Sequence, residues 1–141
     1  MENSELVKIL LNILIDISSR KTDRGHAIYT MEGVMEKLKN KYIFLKNVQV
    51  TDNRFIENKE LIDVSSGIDD IDSTEMGRAI NDIITTMHYS LGDKAGHFFI
   101  KDLQRNLEDK YSSHIQELGV DLSILQLEKQ VKDLEKTTIK K

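Results

Sequence analysis

Residues 3–19, NSELVKILLNILIDISS, leave almost no polar surface. At helical spacing Leu6, Val7, Ile9, Leu10, Leu11, Ile13, Leu14, Ile15 and Ile17 occupy nearly the whole circumference. Only Lys8, Asn12 and Asp16, four residues apart, form a narrow stripe for water. A helix this apolar lies at the centre of its domain or is shared with a second chain. It is not expected to span a membrane, because Lys8, Asn12 and Asp16 interrupt it and a crossing needs about 20 mostly apolar residues. Glu2 and Glu5 stand where a secretion signal carries basic residues, so no signal is expected either.

The 141 residues carry 39% hydrophobic and 31% charged side chains without a long like-charge block, which favours one folded domain over residues 1–141. There is no cysteine, and with it go disulfides, thiolate metal sites and thiol nucleophiles. A cytoplasmic protein is the expectation. The net charge of −4 and pI near 5.6 give no overall attraction to nucleic acid or anionic lipid.

The periodicities predict an α+β chain, predominantly helical: N-terminal helices, one β-hairpin, then a bundle of about four helices. The first helix covers 3–19. Ile28, Met31, Val34, Met35 and Leu38 predict a second over 27–39, after a break at RKTDRG. In KYIFLKNVQVTD, Tyr42, Phe44, Val48 and Val50 alternate as on a strand, and ELIDV supplies a shorter partner, giving a hairpin over 41–65. Helices follow over 73–91, 94–107, 109–118 and 121–137, the first of these capped by Asp72 and stopped at Gly92. Their expected core is Ile80, Ile83, Ile84, Met87, Phe98, Phe99, Leu103, Ile115 and Leu125.

GDKAGHFFIKDL, residues 92–103, looks most like a site, and it reads as a corner between two helices. His97 and His88, nine residues apart, are ligand or pocket candidates together with Tyr89, and a small enzyme built on the two imidazoles is the least favoured reading. No nucleophile or second base is spaced to accompany them, so no catalytic residue is assigned. No third ligand has metal spacing. Asp69, Asp70, Asp72 and Glu75 fail the calcium-loop pattern and read as a helix cap with neighbouring acids, so no metal and no cofactor is expected.

Lys37, Lys39, Lys41 and Lys46 make the first third locally basic and are the nucleic-acid candidates, an alternative reading that is possible but not favoured. The last helix carries Ile124, Leu127, Val131, Leu134 and Thr138 at alternating spacings of 3 and 4, a two-heptad seam. It packs either within the chain or against a second copy. Together with the apolar first helix it favours a homodimer, with Ile124, Leu127, Val131 and Leu134 as the dimer-seam candidates.

KYIFLKNVQV, TEMGRAINDII, LGDKAGHFFIKDL and ELGVDLSILQLE, over about residues 40–128, resemble a small family of archaeal signal-transduction output domains of uncharacterised function. The resemblance implies a domain that binds something or transmits a state, and brings no catalytic residues. The expected function is a non-enzymatic, cytoplasmic regulatory module, homodimeric, that presents a surface to a protein partner whose identity the sequence does not contain.

Overall fold

The computed structural model of the chain describes residues 2–57, 59–92 and 99–139, with side chains except those of 129, 133 and 135–139. Among the described residues there are six helices and one two-stranded antiparallel hairpin, the predominantly helical α+β arrangement that the periodicities predict.

Helix α1, Asn3–Lys21, runs through the middle. Its Leu6, Val7, Leu10, Leu11, Leu14, Ile15 and Ile17 are sealed from solvent, and it touches α2 (Arg24–Leu38), strand β2, the turn at Ser66–Ile68, α3 (Ser73–Ser90) and α4 (Phe99–Asn106). Of its two possible roles, the structure assigns the central one. The stripe left for water is tied down at its ends: Lys8 pairs with Glu60 at 2.6 Å and Asp16 with Arg24 at 2.6 Å.

α1 gives way to α2 at a narrower break than RKTDRG suggests. Asp23 accepts a hydrogen bond from the His26 backbone N–H at 2.8 Å, an N-cap that places Arg24 and Gly25 inside the first turn of α2.

The hairpin is shorter than its sequence pattern. Strands β1 (Val48–Val50) and β2 (Ile62–Val64) pair with Val48 opposite Val64 and Val50 opposite Ile62. Ile43–Asn47 forms a 3₁₀ turn instead of extending β1. The expected alternation of Tyr42 and Phe44 therefore comes from different geometry. The Tyr42 ring is buried with its hydroxyl held by α3, Phe44 stacks beside it at 5.8 Å between centroids, and Ile43 is left exposed.

The acid-rich loop at 65–72 caps two helices. Asp69 accepts a 2.7 Å hydrogen bond from the Ser4 backbone N–H at the start of α1, and Asn3 returns a bond to the Ile68 carbonyl at 2.9 Å. Asp72 caps α3 through the Thr74 N–H at 3.1 Å. Both carboxylates sit where helix N–H groups lack partners and the helix dipole favours negative charge. Among the described residues, no group of three or more His, Asp or Glu side chains is arranged to hold a metal ion.

α3 buries Met76, Ala79, Ile80, Ile83, Ile84 and Met87 and ends at Ser90, with Leu91 as its C-cap and then Gly92, whose φ of +79° suits glycine. α4 contributes Phe99, Ile100 and Leu103 to the same core. α5 (Asp109–Glu117) adds Ile115, and α6 (Leu122–Ile139) adds Leu122 and Leu125. Of the expected core residues, Phe98 lies outside the described residues and the rest are buried. The expected start of the fourth helix at residue 94 also lies outside them.

Gly77, on the buried face of α3, sits against the backbone at the end of α5. A β-carbon there would overlap the Leu118 carbonyl oxygen, a backbone atom that cannot swing aside. Gly33, in the middle of α2, faces open space. The two glycines therefore predict opposite results in urea unfolding. Gly77→Ala should lower stability by about 1–3 kcal/mol through overpacking. Gly33→Ala should raise it by about 0.5–1 kcal/mol, because alanine has less chain entropy to lose in a helix.

Candidate functional site

Of the ligand candidates His88, Tyr89 and His97, the first is used in packing. His88, in the last turn of α3, is buried, with the Phe99 ring 5.8 Å and the Tyr89 ring 5.4 Å from its own. Tyr89, the next residue, sets its ring edge against His88 but is half exposed, and its hydroxyl accepts a 2.7 Å hydrogen bond from Lys132 of α6. The two candidates thus divide between core and surface and do not face a common cavity. His97 lies outside the described residues.

The four lysines of the basic segment line three depressions. Lys39 and Lys46 line a depression of about 660 Å³ between α2 and β1. Lys37 lines another, of about 580 Å³, between α2 and α3. Lys41 lines a third, of about 710 Å³, beside α3 and the end of α5. Two of the four are neutralised locally: Lys39 pairs with Glu36 at 2.7 Å and Lys41 with Asp82 at 2.8 Å. Nucleic-acid binding along a basic groove draws on unpaired cations, and Lys39 and Lys41 already carry carboxylate partners.

Asp82 organises a small polar cluster that the sequence reading passed over. Tyr42 donates its hydroxyl to Asp82 Oδ2 at 2.6 Å, and Lys41 donates to the same oxygen at 2.8 Å. Asp82 stands beside Asn81 on the polar side of α3, and its partners lie 40 and 41 residues away in sequence, so spacing gave no signal of the cluster. Partial burial works against the Asp82 charge, yet the two hydrogen bonds and the Lys41 charge outweigh it and hold the carboxyl below its ordinary 3.8. Burial, then the bond to Asp82, raises the Tyr42 hydroxyl above its ordinary 10.0. The bond and charge of Asp82 raise Lys41 as well. A tyrosine held in its neutral form and a carboxylate held in its ionised form suit a fixed clamp between the 39–42 connection and α3.

Among the described residues, the outer side of α6 carries an exposed apolar row. Its inner side is bound to the body through Leu122, Leu125 and the Lys132 bond to Tyr89. Asp121 caps the helix through the backbone N–H groups of Ser123 at 2.9 Å and Ile124 at 3.2 Å. On the opposite side Ile124, Leu127, Val131 and Leu134 are 52%, 58%, 45% and 68% exposed, in one row. A shallow, mostly apolar trough of about 330 Å³ runs along them, edged by Glu128 and Lys132. Scattered exposed apolar residues are ordinary, but an aligned row of four on one helix is the mark of an interaction face. Phe55 and Ile56, at the tip of the hairpin connection, are exposed too, with Arg54 over the Phe55 ring 5.5 Å from the centroid.

None of the described helices is long and apolar enough to cross a membrane. No family model matches the chain, and neither a curated protein nor a solved structure does.

The polar cluster yields a prediction about pH. Asp82 has its folded pKa depressed, so its contribution is fully present above 3.8 and is lost as pH falls through the lower, folded value. Tyr42 and Lys41 are raised, so theirs is present below about 10 and is lost as pH rises through their folded values. Asp82→Asn should cost about 1 kcal/mol at neutral pH. In urea titrations at a series of pH values, the gap to the wild type should be level across the neutral range and close at both the acid and the alkaline end.

Proposed function

We propose that this chain is a non-enzymatic, cytoplasmic regulatory module that forms a homodimer through the outer face of α6 and presents its surface to a protein partner. The observation that carries this reading is the exposed row of Ile124, Leu127, Val131 and Leu134 on a helix whose other side is already bound to the core. A two-heptad helix is short to pair by itself, because the first turn must be nucleated at a cost in entropy. Here the capping by Asp121 and the burial of Leu122 and Leu125 have already formed and oriented it. Pairing then removes apolar side chains from water at about 25 cal/mol per Å² without ordering new backbone.

The non-enzymatic part rests on how the reactive groups are used. His88 is packed against Phe99, and Asp82 clamps Tyr42 and Lys41. The regulatory part rests on the resemblance of TEMGRAINDII, LGDKAGHFFIKDL and ELGVDLSILQLE to archaeal signal-transduction output domains. A symmetric dimer suits that role, since a change of state in one copy reaches the other across a shared helix.

Light scattering of the full chain, with Leu127→Glu and Val131→Glu combined as the comparison, tests the assembly. The wild type should show twice the chain mass and the double variant the single mass, with unchanged helical circular dichroism. A wild type that is monomeric at every accessible concentration would exclude the dimer.

A further inference from the structure

We infer that the two copies of α6 pair in parallel, in register, as a two-stranded coiled coil; this rests on the dimer proposed above. The heptad assignment follows from which side of the helix is exposed. With the exposed row as the seam, Ile124 and Val131 fall at a positions, Leu127 and Leu134 at d, Glu128 at e, and Ser123 and Gln130 at g. Leu125 and Lys132, which hold α6 to the body, fall at b. The contacts that hold α6 to the body thus lie on the side of the helix away from the seam.

The residue types at the seam select geometry. β-Branched residues at a with leucine at d fit the side-chain packing of parallel two-stranded coils, and both a positions among the four exposed residues are β-branched while both d positions are leucine. Charge agrees. In a parallel pair each g position lies beside the next e of the other copy, so Ser123 meets Glu128, a hydroxyl beside a carboxylate. In an antiparallel pair with Ile124 opposite Leu134, the centre falls near residue 129, and the two Glu128 side chains come to the same side of the seam. Like charges there oppose that arrangement. The four anchors of each copy, with the rim residues beside them, bring the buried area to on the order of 1,000 Å², the lower bound for a specific interface. A second copy is the occupant that supplies this area with matching register.

The absence of cysteine makes the test direct. Ile124→Cys and Leu134→Cys are prepared singly in the full chain, oxidised mildly, and also oxidised as a mixture of the two. In a parallel, in-register pair each substituted position faces its own copy, so each variant alone should form a disulfide-linked dimer, and the mixture should give little of the 124-to-134 product. In the antiparallel pair, Leu134 of one copy lies about 15 Å along the axis from Leu134 of the other, at 1.5 Å per residue, beyond the roughly 7 Å that a disulfide spans. Cross-linking confined to the mixture would overturn the parallel arrangement and leave the dimer standing. Absence of any cross-link, with the wild type monomeric by light scattering, would overturn both. Because either cysteine replaces a seam residue, light scattering of each reduced variant verifies that it still pairs before oxidation.

Discussion

Helix α1 has to be covered on nearly every side, and the arrangement of the other elements follows from that requirement. No single neighbouring helix can enclose a cylinder with seven sealed apolar side chains, so α2, α3, α4, β2 and the 66–68 turn each take a sector of it. Removing one such leucine side chain from a site of this kind costs about 2–5 kcal/mol, a large part of a small domain's stability. The hairpin illustrates the dependence. Two short strands are marginal alone in water, and β2 lies on α1, with Glu60 just before it bonded to Lys8. The loop that leaves β2 then caps α1 through Asp69 and α3 through Asp72, so one acid-rich segment fixes the starts of two helices.

With the core assigned to α1, the polar side chains inside the body act as fastenings. Asp82 holds the connection before the hairpin to α3 through Tyr42 and Lys41. Gly77 allows the end of α5 to pass against α3 at backbone contact, which sets where α6 begins. α6 therefore leaves the body in a defined direction, with Leu122 and Leu125 inward and its second apolar row outward. The interaction proposed for this protein depends on that orientation: a helix with two apolar faces can satisfy only one within its own chain.

Much of the fold was legible because the signals are local. The helices, the caps at Asp72 and Asp121 and the stop at Gly92 follow from spacing and from side chains acting on backbone one turn away. Residues 43–47 were misread as strand because Tyr42 and Phe44 satisfy an alternation that a tight 3₁₀ turn also satisfies over so few residues. Asp69 as the cap of α1 could not be read, since its partner Ser4 is 65 residues distant. The candidate site was half legible. The heptad row on α6 was visible as a pattern, while the division of His88 and Tyr89 between core and surface was not, because adjacent helical residues point about 100° apart and only packing decides which faces inward.

Residue type and spacing alone fix that α1 is apolar over nearly its whole circumference, that α6 carries a heptad row, and that cysteine chemistry is excluded. These are properties of residue type and local spacing, and no distant part of the chain alters them. It takes the packing of distant elements to show that α1 is the centre of one chain and not a shared helix, that the lysines of residues 37–46 line three depressions, and that Ile124, Leu127, Val131 and Leu134 are exposed. Periodicity shows that a helix has an apolar face. Which surface covers that face is settled by contacts between elements far apart in sequence, and for α6 those contacts are spent on Leu122 and Leu125.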